Sequence, residues 1–270
     1  MAIEPYYTLV LGVDARHLWQ LSRVWPTWRR HKPSLTRAPL VVFYDREDVT
    51  EGHVRAVIRR SATIVPWPPE NVSYTADPAL GKFGDARRAK MLAGFVYVAA
   101  AAVRTAYWLK LDTDVVAVER DNWIDTDWFD GRAAIIAHPW GYTKPPDQFV
   151  RLDRWVDAHR DDLGALAERP PLDLIPAPGA EALPHPRIIS WCAFFDTGVT
   201  RYAADAAAQT VGQGQLPVPS QDGYLWYVTR RLGLGITTTN MKRRGWQHWS
   251  ADKNVDRYAR LALGGTDARV

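Results

Sequence analysis

Asp112 and Asp114 stand two residues apart, directly after the apolar run YWLKL (107–111) and directly before a second one, VVAV. Side chains at i and i+2 of an extended segment project from the same face. At a rise of about 3.3 Å per residue the two carboxylates lie about 6–7 Å apart, close enough to share one hard cation and its ligand. Such a pair, placed where an apolar strand runs out, repels itself unless something positive sits between its members. A divalent metal carrying phosphate meets that need.

A pair of this kind needs a scaffold, and the apolar patterning supplies one. Residues 7–13 (YTLVLGV) form an apolar run ending at Asp14, 40–44 a second ending at Asp45, and 63–66 a short third. Short runs of this composition, bounded by polar residues, predict buried strands. Between them, residues 16–32 carry Leu18, Leu21, Val24, Trp25 and Trp28 at helical spacing, and 49–60 repeat the pattern. Residues 72–84 read as loop. Asp85 is a candidate N-cap for an Ala-rich helix over 85–102, which leads into the 107–111 strand. This alternation predicts an α/β fold with a mostly parallel central sheet flanked by helices. The second half is mixed, with strands over 133–137, 188–195 and 235–239 and a helix over 220–232. Residues 145–186 carry charged helix-like pieces and many prolines and read as an elaborated loop region. In open α/β sheets ligands bind outside the carboxyl ends of the strands. Val13-Asp14, Asp45 and Asp112-Thr113-Asp114 then face one crevice, with the first half forming a nucleotide pocket and the Asp-x-Asp holding the metal.

Length and composition narrow the classes. The chain has 270 residues, of which 47% are hydrophobic and 24% charged, enough for one domain with an ample core. No linker-like stretch divides it, so a single domain over 1–270 is expected, with 1–116 forming the nucleotide half that ends in the Asp-x-Asp and 117–270 the second half. No apolar run approaches a membrane span, and the Met1 start lacks the pattern of a signal peptide. The single cysteine, Cys192, excludes an intrachain disulfide and fits a reducing cytoplasm. Lysines and arginines total 34 against 30 acidic residues, an excess that a solvated surface absorbs while leaving peripheral membrane contact open. No basic stripe interleaved with aromatics points to nucleic acid. Thirteen tryptophans fill a core or offer flat faces to sugar rings and bases.

The string KMLAGFVYVAAAAVRTAYWLKLDTDVVAV resembles the helix, strand and Asp-x-Asp core of GT-A glycosyltransferases, which use nucleotide-sugar donors. IISWCAFFDTGV resembles their segment of apolar strand followed by Phe-Asn/Asp-Thr-Gly, which lines the sugar pocket. PSQDGYLWYV is similar to their later acidic motif at a helix start, and GWQHWS offers a histidine where several families place a third metal ligand. The resemblance covers the chain from Tyr7 to about Lys253.

It implies that Asp114 is the main ligand of Mn²⁺ or Mg²⁺, that Asp112 touches the metal or the donor ribose, and that His248 completes the ligands. Asp222 would sit near the anomeric carbon, as general base in an inverting enzyme or orienting the donor in a retaining one. Val13, Asp14, Arg87, Lys90 and Thr113 would contact the donor nucleotide. Trp191, Asp196, Thr197, Gly198 and Gln221 would line the sugar and acceptor side. The partners implied are a nucleotide-sugar donor, a UDP-sugar by analogy, and an acceptor hydroxyl of unspecified class. In one pattern of the retaining enzymes a lysine follows the histidine as His-x-x-Gly-x-x-Lys. Here Lys253 follows at another spacing and the glycine is missing.

Plainer readings stand beside these. An Asp-x-Asp also caps turns, and His248 lies between Trp246 and Trp249 in an aromatic cluster. Asp222 suits a helix first turn. Arg87 and Lys90 fit a solvated helix face, Asp14 and Asp45 fit turns, and the Trp19, Trp25 and Trp28 group fits a core. Two other functions compete. DTDVV also fits haloacid-dehalogenase-like phosphatases, with Asp112 as nucleophile. Those carry the motif on an early strand and need a second acidic pair at a strand end, whereas Asp161-Asp162 lies in a charged helical stretch. A non-catalytic nucleotide- or sugar-binding protein of the same fold is the other alternative.

Overall fold

In the computed structural model, which describes residues 6–70, 86–119, 123–140, 147–172, 187–249 and 251–265, the apolar runs of the first half become parallel strands. β1 (Tyr7–Val13), β2 (Leu40–Asp45), β3 (Thr63–Trp67) and β4 (Tyr107–Leu111) alternate with α1 (Ala15–His31), α2 (Glu51–Ile58) and α3 (Ala86–Ala102). β1 and β4 are buried almost throughout. Helices cover both faces, so the strands read as continuous apolar runs rather than alternating ones. The expected loop over 72–84 lies outside the described residues.

The second half adds β5 (Val115–Ala117), β6 (Ala133–Trp140), α4 (Asp147–Ala158), α5 (Ala165–Glu168), β7 (Arg187–Asp196) and α6 (Thr197–Thr210). It ends with α7 (Gln221–Arg231), β8 (Gly235–Thr238), β9 (Trp246–His248) and α8 (Asp252–Ala262). Strands of both halves form one seven-stranded sheet in the order β3-β2-β1-β4-β7-β6-β8. β7 alone runs against its neighbours, pairing antiparallel with β4 and β6. The architecture is the mostly parallel α/β sheet with a mixed second half that the sequence predicts. β5 and β9 form a separate two-stranded sheet beyond the end of β4.

The sheet separates two cores. On one face Phe43, Phe95 and Trp108 meet Phe149, Tyr224 and Trp226 of α4 and α7. On the other, Leu21, Trp25 and Trp28 of α1 meet Val54 of α2 and Val255 and Ala259 of α8. Burying each large apolar side chain contributes about 1.5–3 kcal/mol relative to exposure. Trp28, Trp108, Trp123, Trp226 and Trp246 are among the largest fully buried side chains, so much of the tryptophan content is core. Trp19 departs from its expected group: it is 39% exposed, with the Arg23 guanidinium 5.4 Å from its ring centre. The charged helix-like pieces expected within residues 145–186 are α4 and α5. Arg231 of α7 anchors them by a 2.8 Å ion pair to Asp153 and a 3.0 Å bond to the carbonyl of Leu166.

Candidate metal and donor site

β4 ends at Leu111, and the chain turns at once: the Asp112 carbonyl accepts from Val115 N–H at 3.2 Å. Asp112 N–H donates to the carbonyl of Trp191 at 2.8 Å, extending the β4–β7 ladder one residue. The chain then enters β5, which Trp28 holds from α1 by donating Nε1–H to the Val115 carbonyl at 2.6 Å. β9 returns antiparallel to β5 and sets His248 opposite Val115. Gly245 makes this return possible. Its φ of +77° is left-handed, and a Cβ there would meet Lys32 Nζ and Glu119 Cβ at 2.8 Å.

The result is one cluster. A ligand atom from each of Asp112, Asp114 and His248 lies within 4.8 Å of the others. His248 Nε2 is 3.3 Å from Asp114 Oδ1. The contact is an ion pair short of a well-aligned hydrogen bond, and among the described residues no other group hydrogen-bonds to the buried Asp114 Oδ1. Native structures rarely leave such an atom unpaired, because its desolvation goes uncompensated. Two carboxylates and an imidazole around an orphaned oxygen fit a divalent cation. Burial lowers the His248 pKa, but the adjacent carboxylates of Asp114 and Asp112 outweigh burial and Lys110, and the net shift is upward.

Three residues give this cluster its shape, and sequence reasoning missed the role of each. Lys110 is buried within β4; its ammonium contacts Asp112 Oδ1 and donates to the Ser190 carbonyl at 3.0 Å. A lysine inside an otherwise apolar strand, two residues before an aspartate on the same face, was the available signal. Ser190 Oγ accepts from Gln221 Nε2 at 3.1 Å, which ties β7 to the start of α7. Trp191 is 3% exposed and its ring lies against His248. Trp191, expected on the sugar side, packs its ring inward on the same core as its neighbour Cys192, so β7 does not alternate faces at this point.

Through Ser190 the first turn of α7 reaches the same end of the sheet. Ser220 is the N-cap, accepting from Gly223 N–H at 3.2 Å. Asp222 Oδ1 accepts from the Ser220 hydroxyl and from Gly223 N–H, which leaves Oδ2 without a hydrogen bond among the described residues. Gln221 is buried, and its Oε1 is a second orphaned acceptor.

The remaining predicted residues divide. Val13 ends β1 beside Tyr44, fully buried. Asp14 caps α1, accepting from His17 N–H at 2.8 Å. Thr113 is buried and donates its hydroxyl to Gln20 at 2.8 Å; Gln20 in turn donates to Asp252 at 2.7 Å. Lys90 does not form the exposed cation that a phosphate contact implies. It is buried, with its ammonium 3.2 Å from Asp45 and 2.9 Å from Glu47, where it neutralises the end of β2. The Arg87 side chain lies outside the described residues.

Asp196, Thr197 and Gly198 stand apart from this cluster. Because β7 is antiparallel to β4, Asp196 lies opposite Tyr107, at the start of β4, and Thr197 N–H bonds to the Ala106 carbonyl at 2.9 Å. Five residues of strand separate that position from Asp112, about 16 Å at the usual rise. Asp196 instead caps α6, accepting from Val199 N–H at 2.8 Å. Asp161 and Asp162, the acidic pair a phosphatase would need at a strand end, lie in the turn after α4.

No family model matches this sequence, and no curated protein matches it. Solved structures do match in fold. Core-mannan synthase A from Aspergillus fumigatus, in its Mn/GDP form, has a TM-score of 0.58 at 13% identity, over 96% of this chain and 84% of that one. The mannosyltransferase Ktr4p from S. cerevisiae gives 0.52 at 12% identity, over 91% and 70%. The 4-diphosphocytidyl-2C-methyl-D-erythritol synthase from Anaerococcus prevotii gives 0.51 at 8%, over 97% and 100%. The chain has the GT-A fold that its sequence resembles. That fold carries more than one reaction among these neighbours, so function must be argued from the site.

Proposed function

We propose that this chain is a glycosyltransferase that moves a sugar from a nucleoside diphosphate donor to an acceptor hydroxyl, working in the cytoplasm with a divalent cation. The observation that carries the reading is the cluster of Asp112, Asp114 and His248 around the orphaned Asp114 oxygen, at the carboxyl end of β4. That end of an open α/β sheet is where ligands bind. The neighbour in a Mn/GDP form shares the fold and supports a manganese ion and a nucleoside diphosphate as the pair to test here.

Asp112, Asp114 and His248 would hold the cation, which supplies charge neutralisation for the departing nucleoside diphosphate. The protein's own residues do the rest. Trp191 orients the imidazole and fixes the Asp112 backbone. The Ser220 hydroxyl turns Asp222 so that Oδ2 is free to meet the reacting carbon or the acceptor hydroxyl. The orphaned Gln221 Oε1 beside it accepts from a sugar hydroxyl, a bond that would satisfy a buried atom otherwise unpaired.

A thermal-shift screen of UDP- and GDP-sugars with Mn²⁺, followed by a donor-hydrolysis assay, tests metal and donor together. Nucleoside triphosphates form the comparison arm, because one neighbour of this fold is named as a diphosphocytidyl synthase. Stabilisation by a nucleotide sugar only with Mn²⁺, followed by its hydrolysis or transfer, is the expected result. Turnover of a triphosphate with pyrophosphate release and none of any sugar donor would reject the reading. Metal-dependent binding of a sugar donor without turnover would leave the binding protein in its place.

A further inference from the structure

Lys110 is a buried cation whose charge the proposed reaction does not use. It is 3% exposed, in the interior of β4, with Phe95 of α3 beneath it at 4.9 Å from nitrogen to ring centre. Two of its partners are fixed: Asp112 Oδ1 and the carbonyl of Ser190. The Asp112 side chain is 33% exposed, so it is gripped from the interior on one oxygen while it opens outward to the cluster.

The charge count follows. Asp112 and Asp114 bring two negative charges to the cation position, and Lys110, in direct contact with one of them, removes one. His248 brings none when it acts as a ligand. Among the described residues Arg16 also acts on Asp114, and it is paired with Asp252 through Nε and Nη2. A buried ammonium is poorly screened by salt, so its repulsion of an incoming divalent ion persists at physiological ionic strength. A diphosphate restores the negative charge that Lys110 cancels.

We propose that Lys110 is a positioning residue that sets the charge of this site, so that a divalent cation binds weakly alone and is held together with a nucleoside diphosphate. Asp112 then offers the cation one oxygen, and departure of the nucleotide weakens the hold on the metal. A neutral residue at 110 would leave both carboxylates uncompensated and would retain the ion after the nucleotide had gone. This inference rests on the transferase reading of the same cluster.

The test is a titration of Mn²⁺ followed by electron paramagnetic resonance of the free ion, with and without UDP or GDP. It compares the unaltered protein with Lys110→Met and Lys110→Gln. Glutamine removes the charge yet still donates hydrogen bonds to Asp112 or Ser190, so it separates charge from geometry and provides a second variant if methionine disturbs folding. Circular dichroism and thermal unfolding establish that each variant is folded. In both, Mn²⁺ alone is expected to bind at least tenfold more tightly, and the enhancement by nucleotide to fall by a similar factor. Unchanged or weaker binding of Mn²⁺ alone in the folded variants, with co-binding by the unaltered protein intact, overturns the inference alone. Failure of the unaltered protein to take up Mn²⁺ with either nucleotide overturns the transferase reading, and this inference with it.

Discussion

The imidazole of His248 lies parallel to the indole of Trp191, with 2° between the ring planes and 5.8 Å between centroids. The same tryptophan accepts the Asp112 N–H on its carbonyl oxygen. One residue of β7 thus orients two of the three candidate ligands, one through its side chain and the other through its backbone.

Trp191→Leu keeps the backbone bond and removes the flat surface that holds the imidazole. Mn²⁺ affinity in the presence of nucleotide is expected to fall about tenfold, roughly 1.4 kcal/mol. Stability should fall by about 3 kcal/mol from the truncated core. Trp191→Phe, which keeps a ring, should retain most of the affinity. Calorimetric titration alongside thermal unfolding separates the two effects. Equal affinities in the leucine and phenylalanine variants would show that the stack does not position the ligand.

Asp114→Ala tests the ligand itself. The variant should lose metal-dependent binding of the nucleotide sugar while keeping its fold. Alanine also removes the His248–Asp114 ion pair, so the metal-free melting temperature should fall by about 2–4 °C when His248 is protonated and by less at high pH. An unaltered metal requirement for donor binding would remove Asp114 from the centre.

In the metal-free protein, His248 should titrate above the ordinary histidine range. Burial opposes the charge most strongly among the single causes, but Asp114 and Asp112 together prevail. A folded-state pKa above the unfolded value means that the pair contributes stability in full below the unfolded pKa. That contribution is lost as pH rises through the raised folded value. Asp114→Asn removes the largest favourable partner and should bring the titration down. Proton resonances of the ring, followed from pH 5 to pH 9, give both values. A titration unmoved by the asparagine would detach His248 from Asp114.

The parts of this site that were legible in the sequence are those set by local chain chemistry. An Asp-x-Asp after an apolar strand needs only strand geometry, and a Ser-Gln-Asp at a helix start needs only capping. What stayed hidden depends on strand direction. The run through Phe195 reads as a strand either way, but only pairing reveals that β7 is reversed, which carries Ser190 and Trp191 to the site and Asp196 away from it. α6 is absent from the sequence reading for a related reason: the resemblance assigns Asp196-Thr197-Gly198 to a sugar pocket, although Asp196 is an ordinary N-cap followed by an Ala-rich stretch. Lys90 shows the same limit. It reads as a solvated helix face because its carboxylate partners come from the end of β2, 43 to 45 residues away in sequence.

Asp222→Asn preserves shape and removes the charge that Oδ2 would present to the reacting centre. Turnover should fall by 10²- to 10⁴-fold, the usual range for loss of a positioned acid or base. Mn²⁺ and donor affinity should stay within about twofold, since Asp222 is not one of the clustered ligands. Single-turnover kinetics with titration of donor binding would show the split. A loss confined to donor affinity would make Asp222 a binding residue.

Asp196→Ala decides whether the Asp196-Thr197-Gly198 segment belongs to the site or to the scaffold. Its carboxylate accepts the Val199 N–H in the first turn of α6, and removing an N-cap of this kind costs about 1 kcal/mol. For a chain of this size that lowers the melting temperature by about 2–4 °C. The residue pairs with Tyr107 at the opposite end of β4 from Asp112, and among the described residues none of its hydrogen bonds reaches the metal cluster or α7. Donor KM and kcat should therefore match those of the unaltered protein once the temperature is far enough below melting. A fall in kcat or a rise in donor KM at full folding would mean that sugar reaches this end of the sheet, and that the reversed strand does not remove the motif from the reaction.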